Sequence, residues 1–232
     1  FDPIRVQKVS EREIKALQDN EVLTMLDVVS SGTGFTDHQR SYWEKTKKRD
    51  KAILILFLTY GLRLSELQQL NISSFNFSRE EFKIYRKRGK ESTMPMNKSV
   101  TSVIADYINN ERKSSETLEK ENKDALFLSL QGKRLKQRQI RELVKKYTSM
   151  ALKTSASAGY SPHKLRATAA TSLIGRGNSI YDVAALLDHE QVTTTQLYAK
   201  HKTNVKRNLV SGMEWEEERE EGSVNADEDD DL

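Results

Sequence analysis

The segment from Asp50 to Leu70 reads DKAILILFLTYGLRLSELQQL and is the strongest indicator of the fold. Its first half, through Tyr60, is apolar on nearly every side, and a helix that is apolar all round is normally buried. Gly61 interrupts this pattern, and Leu64–Leu70 has the spacing of a short second helix. The stretch therefore predicts a buried helix that ends at a glycine and is followed by a shorter one.

The sequence on either side predicts further helices around one small sheet. Ser10 and Glu13 resemble a capping box and predict a helix through about Val29, and residues 37–49 read as a polar, charged connection. Alternation within residues 72–96 predicts a β-hairpin or meander with a basic turn. Further helices are predicted from Val100, around 140–147, and from Ser161, Ser179 and Thr193. Between the first two of these helices, residues 113–124 are predicted as a charged loop and 125–130 as a short extended segment. The expected fold class is α+β, mainly α-helical with one small antiparallel sheet.

Length and composition limit the classes of protein to consider. The 232 residues fit one large domain or two small ones, and no stretch approaches 18 consecutive apolar residues, which excludes a membrane span. The chain has no cysteine, so disulfides and thiolate zinc sites are excluded. No His/Asp/Glu spacing suggests a metal cluster and no phosphate-binding loop motif is present, so no cofactor is expected. A cytoplasmic location is the expectation. The first residue is Phe, and we expect a fragment or processed form without a signal peptide.

Charge is distributed unevenly along the chain. Residues 214–232 hold eleven Asp or Glu and one Arg, a net of −10, and are expected to form a disordered acidic tail. The remaining residues carry 37 basic and 23 acidic side chains, a net of +14. Such a basic body favours a polyanionic partner, most commonly nucleic acid. A generic soluble domain with a solubilising tail fits the charge equally well.

Three segments stand out together as carriers of chemistry. They are TYGLRLSEL at 59–67, SPHKLRAT at 161–168, and LLDHEQVTTTQLY at 186–198. This set resembles the tyrosine recombinases, or phage-integrase-type recombinases. In that family a G-L-R-x-S-E-L segment comes first, H-x-L-R second, and L-G-H third, with a nucleophilic tyrosine nine residues after the last histidine. Here Tyr198 follows His189 by nine residues, and the resemblance covers about residues 8–210.

The resemblance implies a role for each matched residue. Tyr198 is the nucleophile that attacks a DNA phosphodiester and forms a 3′-phosphotyrosyl link. Arg63 and Arg166 are the clamp on the non-bridging oxygens, because a guanidinium is planar, forked and always charged. His163 and His189 are further donors to the charge that develops on those oxygens.

The basic turn of the predicted sheet supplies the remaining site residues. The family pattern G-K-G-x-K-x-R-x-x-P-L aligns with residues 86–96, which places Lys87 on the lysine that protonates the leaving 5′-oxygen, with Lys90 as second choice. Arg86 and Arg88 replace the flanking glycines. Three further departures are Ser92 for an arginine, Asp188 for the glycine before His189, and Ala167 for a histidine. The expected DNA-binding residues are Arg86, Arg88, Lys90 and Lys164.

Each of these residues also has an ordinary structural interpretation. Arg63 could pair with Glu66 on a helix surface, and His163 could be a cap or core residue. His189 could be a surface residue, Tyr198 a core residue, and Lys87 a solvated or phosphate-binding one. The joint occurrence of the motifs, in order and at fitting distances, favours the catalytic interpretation. His38 and His201 have no such support and are expected on the surface.

The resemblance also implies partners and a wider function. Residues 1–213 are expected to be the catalytic domain, with an N-terminal core-binding domain absent from this chain. The charged connection at 37–49 and the segment at 123–130 look most like Xer-type recombinases, in particular the single-recombinase version of streptococci and lactococci. That likeness implies chromosome dimer resolution on double-stranded DNA through a Holliday junction, a homotetramer on two duplexes, and a DNA translocase as activator.

Other functions remain open from the sequence. They are a mobile-element integrase, a type IB topoisomerase or telomere resolvase, and an inactive DNA-binding domain. The apolar stripe of Val205, Leu209 and Met213 could dock into a neighbouring subunit or pack on its own domain.

Overall fold

The computed structural model describes residues 15–86, 89–188 and 210–213. Within these ranges the chain forms helices α1 (Asp19–Ser31), α2 (Asp37–Trp43), α3 (Lys47–Tyr60), α4 (Leu64–Gln68), α5 (Lys98–Asn110), α6 (Gln137–Ala151), α7 (Pro162–Gly175) and α8 (Ile180–Leu187), and strands β1 (Phe75–Asn76), β2 (Glu81–Tyr85) and β3 (Glu91–Pro95). This confirms a mainly helical α+β fold with one small antiparallel sheet. None of the helices in the described ranges is long and apolar enough to cross a membrane.

Helix α3 is the central helix of the core. All of its residues from Ala52 to Leu58 are at most 1% exposed, and it packs against α1, α5 and α7. The prediction of a helix buried on every side is confirmed. The helix ends at Gly61, whose left-handed backbone (φ 55°) lets its N–H donate to the carbonyl of Phe57 at 2.9 Å.

The sheet consists of three antiparallel strands with β2 in the middle. Phe82 pairs with Met94 on β3 and with Phe75 on β1. Phe82 and Ile84 alternate with exposed residues along β2 and are buried, so one face of the sheet contributes to the core. The Tyr60 hydroxyl donates to the Pro95 carbonyl at 2.6 Å, which fastens β3 to the end of α3.

Helices α7 and α8 lie at the end of α3 that carries the Gly61 turn. Ser161 is the N-cap of α7 with Pro162 in its first turn, and Ser179 is the N-cap of α8 and accepts from the Tyr181 N–H at 3.2 Å. Both predicted starts are confirmed. Because α7 packs against both α3 and α8, the C-terminal end of α8 comes to lie beside the turn after α3.

Three local predictions differ from the structure. The helix predicted through Val29 is α1, but it begins at Asp19 and residues 15–18 before it are not helical, while Ser10 and Glu13 lie outside the described residues. Its N-cap is Gln18, whose N–H donates to Glu21 at 2.7 Å, and glutamine is not a usual cap. The connection over 37–49 contains α2, and the segment 125–130 makes only isolated bridges rather than a strand.

A short C-terminal piece packs on the body of its own chain. Val210 and Met213 are buried in the main core. Asn97, the N-cap of α5, donates from Nδ2 to the carbonyls of Val210 at 2.9 Å and Met213 at 3.2 Å. For Met213 the structure therefore favours packing within the chain, while Val205 and Leu209 lie outside the described residues.

Candidate active site

The turn between α3 and α4 places Arg63 at the edge of the core. Arg63 is the N-cap of α4, and its N–H donates to Glu66 Oε2 at 2.8 Å. Its Nη1 also lies 2.8 Å from Glu66 Oε1. The Arg63–Glu66 pair considered from the sequence is therefore real, but it is not a surface pair, because the Glu66 side chain is only 2% exposed.

The C-terminal end of α8 is the point on which the arginines converge. The last carbonyls of a helix lack partners within it and carry partial negative charge, so they attract cations. Arg63 donates to the Asp188 carbonyl at 3.0 Å, and Arg86 donates to the carbonyls of Leu186 at 2.8 Å and Leu187 at 3.2 Å. Arg166 donates to the Leu187 carbonyl and to the Gly61 carbonyl. Guanidinium groups from three distant segments thus meet at one helix end.

Two carboxylates accompany this cluster. Glu66 Oε1 lies 3.8 Å from Arg86 Nη1 in addition to its contact with Arg63. Asp188 Oδ2 lies 3.5 Å from Arg63 Nη1 and 4.0 Å from Arg86 Nη1. The three guanidinium groups and two carboxylates leave a positive balance of one. Arg63 and Asp188 are partly exposed, so the cluster can meet an anion from solvent there.

Burial and mutual repulsion shift the pKa values of these arginines. Burial, together with the neighbouring charge of Arg63, lowers the pKa of Arg166 to about 10. The pKa of Arg86 is also lowered, chiefly by burial. Burial also acts to lower the pKa of Arg63, but the hydrogen bonds and negative charges of Glu66 and Asp188 together outweigh this effect, so the pKa is raised. All three remain cationic at neutral pH, and a bound anion would relieve their repulsion.

Three other predicted site residues, His163, Lys90 and Lys164, fall within the described ranges. His163 is exposed in the first turn of α7, three residues before Arg166 and so on the same side of the helix. It is neither a cap nor a core residue. Lys90 is 63% exposed, with its Nζ 4.0 Å from Asp188 Oδ1. The Lys164 ammonium lies over the Tyr160 ring, 4.5 Å from its centroid. His38 is exposed, as expected.

Arg86, which the sequence predicts as a DNA-binding residue, is buried against the end of α8. Its side chain is 3% exposed, and both terminal nitrogens donate to main-chain carbonyls of α8. It holds the end of α8 instead of facing solvent. A run of basic residues reads as a solvated surface in the sequence, and no local signal reveals that one member turns inward.

Four predicted site residues fall outside the described residues, namely Lys87, Arg88, His189 and Tyr198, as does His201.

The sequence interpretation did not assign a site role to Glu66 or Asp188. The acid three residues after Arg63 was a usable signal for Glu66, because that spacing is typical of a capping pair. No comparable signal marked Asp188, whose contacts depend on the packing of α8.

The backbone at Gly61 lies so close to α7 and α8 that there is no space for a side chain at this position. A Cβ at this residue would overlap Cδ2 of Leu187 and lie 3.4 Å from Cγ of Arg166, at a backbone φ of +55°. We expect Gly61→Ala to lower the free energy of unfolding by about 3 kcal/mol, from left-handed strain plus overpacking. Denaturant unfolding measures this value.

Gly177→Ala is the matched control for Gly61→Ala. Gly177 also has a positive φ, of 85°, but an added Cβ would meet nothing within 4 Å. We expect Gly177→Ala to lower the free energy of unfolding by about 1 kcal/mol. Equal costs at the two glycines would contradict the close approach of α8 to the Gly61 turn.

Comparison with known proteins identifies the family of this fold. A profile of the phage integrase family matches residues 15–204. Tyrosine recombinase XerC of Natranaerobius thermophilus is 39% identical over 154 residues, which are 65% of this chain and 50% of that protein. Tyrosine recombinase XerD of Staphylococcus haemolyticus is 34% identical over 160 residues, 68% of this chain and 52% of that protein.

Solved structures show the same fold. XerH site-specific recombinase in a post-cleavage complex with palindromic difH substrate has a TM-score of 0.62 and 21% identity, over 91% of this chain and 56% of XerH. The Tn1549 transposon integrase in complex with circular intermediate DNA has a TM-score of 0.59 and 20% identity, over 79% of this chain and 62% of that integrase.

The fold is that of a tyrosine recombinase catalytic domain. The chain belongs to the phage integrase family, and its relatives place it with the Xer type. It spans about half the length of the curated relatives that it matches.

Proposed function

We propose that this chain cleaves and rejoins DNA strands at a specific recombination site, with Tyr198 as nucleophile. The observation that carries the proposal is the convergence of the Arg63 and Arg166 guanidinium groups on one helix end. His189 follows this helix end directly in the sequence, and Tyr198 follows nine residues later. His163 lies one helical turn from Arg166 and is exposed.

The reaction divides into two phosphoryl transfers. The Tyr198 oxygen forms a bond to phosphorus while the bond to the 5′-oxygen breaks, and a lysine gives that oxygen its proton. Negative charge grows on the non-bridging oxygens during the attack, and donors fixed in advance stabilise it most effectively. Arg63 and Arg166, with His163 and His189, are the donors we assign. The phosphotyrosyl link keeps the energy of the original bond, so a 5′-hydroxyl can reverse the step and rejoin a strand.

The biological reaction we propose is Xer-like resolution of chromosome dimers through a Holliday junction. Support comes from the identity to XerC and XerD and from the shared fold with XerH, whose structure contains its difH substrate. We extend the proposal to a catalytic domain over residues 1–213, a homotetramer on two duplexes, a DNA translocase as activator and a cytoplasmic location. Arg88, Lys90 and Lys164 are assigned to the DNA backbone.

A second candidate is integration or excision of a mobile element. The shared fold with the Tn1549 transposon integrase, solved on circular intermediate DNA, favours it. The two candidates share every catalytic residue and differ in the DNA site they recognise. Sequencing of recombined products from a genomic library separates them, since only the second joins element ends to unrelated targets.

The test of the strand-transfer chemistry is covalent trapping. The chain is incubated with a library of nicked duplexes whose arms are randomised, so that the cleaved fragment diffuses away and the adduct persists. We expect a denaturant-resistant protein–DNA adduct, and tryptic mapping should place the nucleotide on Tyr198. An adduct on another residue, or none on any duplex, would contradict the proposal. Relaxation of supercoiled DNA of any sequence would instead favour a topoisomerase.

The general acid can be assigned with a leaving group that needs no proton. We expect Lys87→Gln to slow cleavage of ordinary DNA by about 10²- to 10³-fold. When sulfur replaces the bridging 5′-oxygen, the leaving group is a thiolate that needs no proton. On this substrate the cleavage rate of Lys87→Gln should therefore come to within about tenfold of that of the unaltered chain. Lys90→Gln is the comparison, because a lost backbone contact should slow cleavage of both substrates to the same extent. A sulfur-rescued loss in Lys90→Gln would transfer the role to Lys90.

A further inference from the structure

Asp188 occupies a backbone position that favours glycine. Its φ of 57° and ψ of 49° are left-handed, a conformation that costs a residue with a Cβ some energy. The residue nevertheless carries a charged side chain, and that side chain faces the arginine cluster. The geometry of the helix end alone does not explain why a charged side chain stands at this position.

The Asp188 carboxylate lies among three cations from two segments, the turn after α3 and the turn between β2 and β3. Its Oδ2 is 3.5 Å from Nη1 of Arg63 and 4.0 Å from Nη1 of Arg86, and its Oδ1 is 4.0 Å from Nζ of Lys90. The other terminal nitrogen of Arg63 is held by the Asp188 carbonyl. The carboxylate and the carbonyl of Asp188 thus face the two terminal nitrogens of Arg63 that an incoming anion would need.

The second carboxylate of the cluster differs from Asp188 in access. The Glu66 side chain is 2% exposed and is bound at 2.8 Å to Arg63, so it is a permanent part of the interior. The Asp188 side chain is 32% exposed, and its contacts are longer. Contacts of this length between partly exposed charges are weak and can exchange with a stronger anion.

We propose that the Asp188 carboxylate is an internal counter-anion that competes with phosphate for Arg63 and Lys90 and thereby lowers the anion affinity of the site. The inference rests on the proposed function, in which the same cluster receives a DNA phosphate. In the free chain the carboxylate offsets part of the repulsion among the arginines. When a phosphate binds, its oxygens replace the carboxylate at Arg63.

The test is a sulfate titration of the full chain at constant ionic strength, followed by calorimetry. Asp188→Asn keeps the size of the side chain, tolerates the left-handed backbone and removes the charge. We expect sulfate to bind Asp188→Asn about fivefold more tightly than the unaltered chain. Asp188→Gly, which suits the same backbone, should show the same gain and guards against a local effect of the amide.

Glu80→Asn is the matched control. Glu80 is an exposed acid, also in a left-handed conformation (φ 50°), in the turn between β1 and β2. We expect the Glu80→Asn variant to bind sulfate with the same affinity as the unaltered chain. The double variant Arg63→Gln/Asp188→Asn should lose the gain, which assigns the bound ion to this cluster.

The outcomes separate clearly. Equal or weaker sulfate binding in Asp188→Asn and Asp188→Gly overturns the inference, as does an equal gain in Glu80→Asn or the absence of sulfate binding in every variant. The expected gain in a chain that forms no adduct with nicked DNA supports the inference for Asp188 and contradicts the proposed strand-transfer function.

Discussion

Replacement of Tyr198 by phenylalanine is expected to abolish covalent adducts with nicked DNA, a loss on the order of 10⁴-fold or more. Phenylalanine keeps the ring and removes only the oxygen that attacks phosphorus. Binding to the phosphate backbone depends on the cationic surface, which this change leaves intact. A gel-shift measurement should therefore give unchanged DNA affinity while denaturing gels show no adduct.

Tyr181→Phe is the matched control for this loss. Tyr181 lies on α8, is 54% exposed, and stands 17 residues before Tyr198. The same atom is removed at a tyrosine with no proposed chemical role, and adduct formation should be unchanged. Adducts that persist in Tyr198→Phe, or that vanish in Tyr181→Phe, would show that the nucleophile is assigned to the wrong residue.

Replacement of Arg63 by glutamine is expected to slow DNA cleavage by about 10²- to 10³-fold, the usual cost of one lost donor to a developing oxyanion. The side chain is 25% exposed, and the backbone of residue 63 remains the N-cap of α4. We therefore expect the folded structure to survive and the loss to appear in the rate of adduct formation. Quenched time courses on the nicked duplex measure that rate.

Arg138→Gln is the control for Arg63→Gln. Arg138 makes the same kind of close carboxylate pair, 2.8 Å from Glu142, but its side chain is 87% exposed on α6. The change removes the same charge from the chain at a position outside the arginine cluster. We expect less than a threefold change in cleavage. A loss as large as that of Arg63→Gln would point to general electrostatic attraction instead of a specific contact.

The elements that could be predicted from the sequence are those with a strong local pattern. The apolar run of α3, the capping residues of α7 and α8, and the alternation in β2 each depend on neighbours in the chain. The start of α1 could not be predicted, because its cap is the unusual Gln18. Helix α2 was missed because only Trp43 of its seven residues is buried, which leaves no apolar periodicity to read.

The same distinction applies to the site. Arg63 and Arg166 could be singled out because their motifs are short and local, and the structure brings both to the end of α8. The inward turn of Arg86 and the position of Asp188 depend on how α8 packs against the sheet and the Gly61 turn. Contacts between residues about 100 positions apart leave no trace in local spacing. That is why the burial of Arg86 and the contacts of Asp188 could not be predicted from the sequence.

The most direct test of the central claim, that Arg63 contacts a non-bridging oxygen of the cleaved phosphate, uses DNA with a neutral methylphosphonate at that phosphate. Without the negative charge on that oxygen, the Arg63 guanidinium has no developing charge to stabilise. We predict that the cleavage deficit of Arg63→Gln relative to the unaltered chain falls from about 10²- to 10³-fold to within about tenfold on this substrate. An undiminished deficit on the methylphosphonate would contradict the claim.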